Sequence, residues 1–171
     1  QIENLVNEFS DFARMPKPIL KDNNLVSLIN DSIDLIKELD SNIFINLDTS
    51  SDNVIFNSDS EQLSRVFFNL IKNSIESIQD KKLNNVNFKG KIDIKLNNNA
   101  SNIDFIIIDN GLGFGLFKDD VKGILNPYFT TKEKGTGLGL AIVNKIINDH
   151  HGSIDFIPIE FGAKIHIRFI K

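Results

Sequence analysis

The sequence has no cysteine. Neither a disulfide nor a thiolate-bound metal can therefore hold it together, and a cysteine-free chain fits a reducing, cytosolic setting. Basic charge is not in excess either: 19 Lys and Arg face 23 Asp and Glu, a formal net charge of -4. The basic footprint of a nucleic-acid partner is missing, so none is expected. No apolar run approaches the roughly 20 residues that span a bilayer, and no signal peptide opens the chain. Proline is scarce, and two of the 4 prolines crowd together as Pro16 and Pro18. What is present is ordinary for a globular protein: 41% hydrophobic and 25% charged residues. At 171 residues the chain reads as one domain with a short appended element, and it opens inside a helical pattern, as a piece of something longer would.

In "QIENLVNEFSDFARM", Ile2, Leu5, Phe9 and Phe12 fall at helical spacing, and Pro16 and Pro18 forbid continuation. This predicts a connector helix, read either as a core helix or as half of a helical hairpin. A helix is predicted over 25–39, with Leu25, Leu28, Ile29, Ile33 and Ile36 on one stripe. Short strands are expected at "IFINL" and "VIF", then a helix over 59–78 that buries Leu63, Val66, Phe67, Leu70, Ile71 and Ile78. "DKKLNNVNFKG" reads as a polar loop. "KIDIKLN" alternates as a half-buried strand does, whereas the more continuous "NIDFIIID" suggests burial on both faces. Regularity fades from Asn110 to Thr136 apart from a short helix near "KDDVKGIL". A helix from about Leu138 to Asp149 and a hairpin of "SIDFIPI" with "AKIHIRFI" complete the chain. The expected fold is an α/β two-layer sandwich, one mixed sheet covered by helices on one face.

Three clusters bear chemistry. In "IIIDNGLGF", Asp109 ends an apolar strand before Asn-Gly. That dipeptide is a strong turn signal, so a plain turn competes with a carboxylate at a pocket floor. As a pure acceptor the carboxylate would pair with an adenine amino group and refuse the guanine carbonyl. In the helix over 59–78, Gln62, Arg65, Asn69, Asn73 and Glu76 share a stripe opposite the apolar one. It reads either as a solvated face or as a source of amide oxygens for a hard cation. Asn is a poor interior helix residue, which makes the stripe worth weighing. In "PYFTTKEKGTGLGLAIV", Gly135, Gly137 and Gly139 alternate just where a helix begins, after Lys132 and Lys134. Amides at a helix N-terminus attract phosphate. The spacing matches neither a P-loop nor the dinucleotide fingerprint.

Together, "NLIKNSIESI", "IDNGLGF", "PYFTTKEKGTGLGLAIVNKII" and "HHGSI" resemble the catalytic ATP-binding domain of sensor histidine kinases, in the wider gyrase, Hsp90, kinase and MutL group. The likeness runs from about residue 20 onward, and "NEFSDFARMPKP" is similar to the end of a dimerisation helix in nitrogen-regulation kinases of the NtrY and NtrB type. The resemblance implies a Bergerat-type fold, with residues 1–18 as connector and 19–171 as the catalytic domain. It implies that Asn73 coordinates Mg²⁺, that Asn69 faces the phosphates, and that Asp109 binds the adenine amino group beside Gly111 and Gly113. Residues 114–134 would be a lid with Phe129 and Thr130 at its hinge. Lys132, Lys134, Gly135, Thr136, Gly137, Leu138 and Gly139 would meet the triphosphate. Ser74 stands where the family often has alanine, a change expected to be harmless. Glu76 stands where many relatives have lysine, and "LNPYF" replaces a more usual "FEPFF".

The implied function is transfer of the γ-phosphoryl group of ATP to a histidine on an upstream dimerisation domain, with a response regulator as partner and a homodimer as the full-length protein. The domain itself would be cytoplasmic, the full-length protein being free to be membrane-anchored. An ATP-hydrolysing relative would carry a glutamate base where this chain has Asn69, and an amide cannot take a proton from water. A nucleotide-sensing interaction module and an anti-sigma-type serine kinase are the alternatives. His150, His151 and His166 all follow the Pro-rich break, so none is placed as the phosphoacceptor.

Overall fold

Strands and helices are interspersed in the computed structural model, which describes residues 6, 7, 10, 12–113 and 139–171. The elements are β1 (Lys21–Asn24), α1 (Leu25–Leu39), β2 (Phe44–Thr49), β3 (Ile55–Ser58), α2 (Ser60–Asn84), β4 (Lys91–Asn98), β5 (Asn102–Asp109), α3 (Gly139–Asp149), β6 (Gly152–Pro158) and β7 (Ala163–Ile170). Residues 6, 7, 10, 12 and 13 are helical, in line with the connector helix. The expected helix near "KDDVKGIL" lies outside the described residues.

Helix α1 forms where a cap meets an apolar stripe. The Asn24 side-chain oxygen accepts from the N–H of Val26 at 3.1 Å and of Val54 at 3.0 Å, so one amide starts the helix and ties it to the chain before β3. Leu25, Val26, Ile29, Ile33 and Ile36 are buried. Helix α2 starts at Asp59, whose carboxylate accepts from the Gln62 N–H at 3.0 Å. It runs to Asn84, six residues beyond the predicted end at 78, into the first half of the stretch expected as a loop. Lys81 and Lys82 in the last turn complement the helix dipole there.

Strands pair in the order β2-β4-β5-β7-β6; β2 and β4 run parallel and the other pairs antiparallel. The register lines up Leu47, Ile94, Ile107, Ile165 and Phe156 across all five strands, and Leu96, Phe105, Ile167 and Ile154 across four. These residues face the helices in one core. Phe67 of α2 packs on Phe105 of β5 with ring centroids 4.9 Å apart. The mixed sheet under helices is as expected, but β1 and β3 form a second, antiparallel two-stranded sheet. The "VIF" stretch therefore does not join the main sheet. Phe56 of β3 reaches Phe169 of β7 at 5.0 Å and binds the small sheet to the large one.

Strand β5 is not buried evenly on both faces. Ile103, Phe105 and Ile107 are buried on the helix side, whereas Ile106 and Ile108 on the other are half-buried. Asp104 is buried on that outer side by its own donors: His166 Nε2 at 2.7 Å, Arg168 Nε at 2.9 Å, Asn102 Nδ2 at 2.9 Å and Asn99 Nδ2 at 3.0 Å.

The connector is held at the start of α2. Ile19 N–H donates to the other Asp59 carboxylate oxygen at 2.8 Å, and Gln62 Nε2 donates to the Pro16 carbonyl at 3.0 Å. Gln62, expected on the polar stripe, is thus buried. Asp59 N–H donates to His150 Nε2 at 3.1 Å. His150 must then carry its proton on Nδ1, which donates to the Ile146 carbonyl at 2.8 Å.

Candidate functional site

Register decides where Asp109 points. It pairs with Ile92 on one side and Ala163 on the other, in a row of core positions facing the helices. A carboxylate here is buried, 5% exposed, and must be satisfied by donors. Gly111 N–H donates to its Oδ1 at 2.9 Å. Ser74 on α2 and the Ala163 backbone opposite both favour its charged form. Burial pushes the carboxyl above its ordinary value, against the opposing influence of Gly111, Ser74, Ala163 and the nearby Lys81 charge.

The chain then turns against α2. Leu112 N–H meets the Ser77 carbonyl at 3.4 Å. A Cβ on Gly111 would lie 2.7 Å from the Ser77 carbonyl carbon and 2.9 Å from the Ile78 nitrogen, so only glycine fits. Gly113 has φ 75° and abuts the Gly162 carbonyl, which binds the turn to the β6–β7 hairpin. Asn110 clamps the turn from the other side: its oxygen accepts from Lys91 N–H at 2.8 Å, and its amide donates to the Lys89 carbonyl at 3.0 Å.

Asn69 and Asn73 lie one turn apart on α2 and are half-buried. Asn73 directly precedes Ser74, so the amide stripe runs up to the Asp109 pocket. No cluster of three His, Cys, Asp or Glu that could hold a metal occurs among the described residues. A hard amide oxygen on a partly exposed helix face nevertheless suits Mg²⁺, which takes most of its ligands from phosphate and water. Gly139 opens α3, which packs on α2 and β6, and among the described residues nothing lies within 4 Å of where a Cβ on it would sit. Phe129, Thr130, Lys132, Lys134, Gly135, Thr136, Gly137 and Leu138, with the expected lid over 114–134, lie outside the described residues.

Sequence reasoning missed several groups around Asp109. Ser74, expected to be a harmless replacement, is buried and favours the charged form of the carboxylate. Lys81 fell in a predicted loop; in the structure its Nζ donates to the Asn110 carbonyl at 3.0 Å and sits 4.4 Å from the Phe88 ring centroid. Ala163 has no reactive side chain and acts through its backbone, which no residue pattern reveals.

A helix-covered mixed sheet, with a buried acceptor at the end of a central strand and amides on the helix above it, defines a nucleotide-binding domain. Residues 58–170 match the family described as histidine kinase-, DNA gyrase B- and HSP90-like ATPase, and the chain belongs to that family. ATP binding comes with that membership. The sensor histidine kinase NtrY-like protein of Rickettsia bellii (strain RML369-C) is 35% identical over 169 residues, covering 98% of this chain and 26% of the relative. Nitrogen regulation protein NtrY of Azorhizobium caulinodans is 34% identical over 177 residues, covering 98% and 21%. The solved catalytic domain of histidine kinase ThkA is 28% identical with a TM-score of 0.76, covering 89% of this chain and 95% of that one. The resemblance drawn from the sequence is borne out at the level of family and fold. The chain spans about a quarter of the length of the NtrY-like relatives.

Proposed function

We propose that this chain is the ATP-binding catalytic domain of a two-component sensor histidine kinase, and that it delivers the γ-phosphoryl group of Mg-ATP to a histidine on a dimerisation domain outside the chain. The observation that carries the reading is Asp109: a buried acceptor, bonded by the Gly111 N–H, on the strand end that faces α2. Its remaining acceptor position suits the adenine 6-amino group and repels a guanine carbonyl oxygen. Gly111 and Gly113 shape the pocket wall beside it. Asn69 faces the phosphates and, as an amide, supplies no base to activate water, which favours transfer over hydrolysis. Asn73 would hold Mg²⁺ through its side-chain oxygen, and the ion would neutralise charge on the phosphates. Phe129 and Thr130 as lid hinge, with Lys132, Lys134, Gly135, Thr136, Gly137, Leu138 and Gly139 at the phosphates, complete the proposed site.

In the transfer, an imidazole nitrogen forms a bond to the γ-phosphorus as the bond to the β,γ-bridging oxygen breaks, leaving ADP. Residues 1–18 would be the connector and 19–171 the catalytic domain of a homodimeric protein, with a response regulator as the onward acceptor. No described helix is long and apolar enough to cross a membrane. We place the domain in the cytoplasm on the strength of the relatives' being sensor kinases.

The histidines within the chain are poorly suited to be acceptors. Both ring nitrogens of His150 are engaged, and His166 is bonded to Asp104. His150 and His151 follow the C-terminal end of α3, an 11-residue helix about 16 Å long, whose other end is the proposed phosphate end. With γ-labelled Mg-ATP, the isolated chain should stay unlabelled and the full-length protein should gain acid-labile label. Acid-labile label on the isolated chain, or none on the full-length protein, would contradict the assignment.

A further inference from the structure

We propose that Lys81 is a positioning residue for base recognition: its ammonium, near the end of α2, pins the turn whose Gly111 N–H sets the Asp109 carboxylate. This rests on the nucleotide reading of Asp109 given above.

The turn after β5 has to be held, because it carries a donor to a buried carboxylate. Gly111 N–H donates to Asp109 Oδ1 at 2.9 Å. Asn110, one residue earlier, has every polar group engaged. Its N–H donates to the Lys91 carbonyl at 3.3 Å, its side-chain oxygen accepts from Lys91 N–H at 2.8 Å, and its amide donates to the Lys89 carbonyl at 3.0 Å. These three bonds tie the turn to the chain entering β4. The Asn110 carbonyl accepts from Lys81 Nζ at 3.0 Å, and this bond ties the turn to α2. A second link to the helix, Leu112 N–H to the Ser77 carbonyl, is longer at 3.4 Å. The charged donor at the shorter distance makes the stronger bond of the two.

Helix spacing puts the lysine where the turn passes. Ser77 and Lys81 are four residues apart, one turn from each other on the same face of α2. The turn lies along that face, with Gly111 seated at Ser77 and Asn110 held at Lys81. An aromatic ring grips the lysine as well: its Nζ lies 4.4 Å from the Phe88 ring centroid, within cation–π range. A free lysine side chain samples many rotamers. The ring and the carbonyl together narrow them, so the ammonium is a fixed post for the turn. Charge at the helix end does not by itself call for this arrangement. Lys82 carries the same charge in the same last turn, about 100° further round the helix.

The test separates the turn from general packing and from end charge. Lys81→Met, Lys81→Arg and Lys82→Met are compared with the wild type. Methionine keeps the apolar stem and about the same helix propensity, so Lys81→Met should fold. Hydrogen exchange of the Gly111 N–H, followed by NMR without nucleotide, should speed up about three- to tenfold in Lys81→Met. Calorimetric titrations compare ATP with purine riboside triphosphate, in which hydrogen replaces the 6-amino group. Lys81→Met should weaken ATP binding about three- to tenfold and leave the analogue's affinity within about twofold. Lys81→Arg, which keeps a charged donor, should recover most of the ATP affinity and slow Gly111 exchange again. Lys82→Met should behave as wild type in both measurements. An unchanged Gly111 exchange rate, an equal loss for both nucleotides, or the same loss in Lys82→Met would overturn the positioning role. If the wild type itself binds ATP and the analogue equally, the adenine assignment of Asp109 fails. The Gly111 exchange rates tell that result apart from a failure of the Lys81 contact.

Discussion

Replacing Asp109 by asparagine keeps the shape of the side chain and removes its charge. In the wild type the buried carboxylate accepts from the Gly111 N–H and keeps acceptor capacity for a ligand. The asparagine variant has a single oxygen, and its amide turns a donor toward one of the groups that formerly donated to it. A hydrogen bond to a charged acceptor contributes about 1.5–3 kcal/mol, so ATP affinity should fall roughly ten- to a hundredfold. Stability should move differently. Burial lifts the folded-state pKa of Asp109 above its ordinary value, over the opposition of Gly111, Ser74, Ala163 and Lys81. A raised carboxyl pKa gives a contribution that is fully present below the unfolded pKa and is lost as pH rises through the folded one. The variant lacks that dependence, so its stability relative to wild type should improve as pH rises above about 4. Titration calorimetry with ATP and GTP, alongside urea unfolding across that range, measures both effects. Equal affinity of the wild type for ATP and GTP, or undiminished ATP affinity in the variant, would refute the reasoning.

Asn73→Ala should weaken ATP binding far more in magnesium than in chelator, because the amide oxygen is proposed to act through the ion; equal losses in calorimetry would make Asn73 a packing residue. Asp104 lies below the usual carboxylate range: burial raises it, but the hydrogen bonds and charges of Arg168 and His166 outweigh that. Its stabilisation is present above the unfolded pKa and lost as pH falls through the folded one. Asp104→Asn should accordingly flatten the acid limb of an unfolding series below about pH 4. His151 has φ 57°, in the left-handed region where a side chain is strained. His151→Gly should raise stability by about 0.5–1 kcal/mol, read as a higher urea midpoint at unchanged slope.

Helix α1 was legible to the residue because the Asn24 cap and the apolar stripe from Leu25 to Ile36 agree. Strands β5 and β7 were legible for a similar reason, their apolar runs being bounded by turn residues. The last turns of α2 were not, since "DKKLN" has little apolar periodicity and is held by straight-chain residues and favourable end charges. Strand β1, "KDNN", carries no apolar residue and owes its form to backbone pairing with β3, which no single segment encodes. In the candidate site, Asp109 announced itself as an acid closing an apolar strand. Ser74 did not, because its partner lies far away in sequence and only the packing of α2 on β5 brings the two together.

The attachment of the connector at the first turn of α2 has a mechanical consequence. Asp59 receives Ile19 through one carboxylate oxygen and caps α2 through the other, while Gln62 holds Pro16. A pull or twist on residues 16–19 therefore loads the end of a stiff rod of 25 residues, about 37 Å long, before it strains the sheet. Ser74 lies roughly 22 Å along that rod from Asp59, and the seat of Gly111 at Ser77 roughly 27 Å. A load entering at the prolines and the proposed grip on a nucleotide base are thus borne by the same lever.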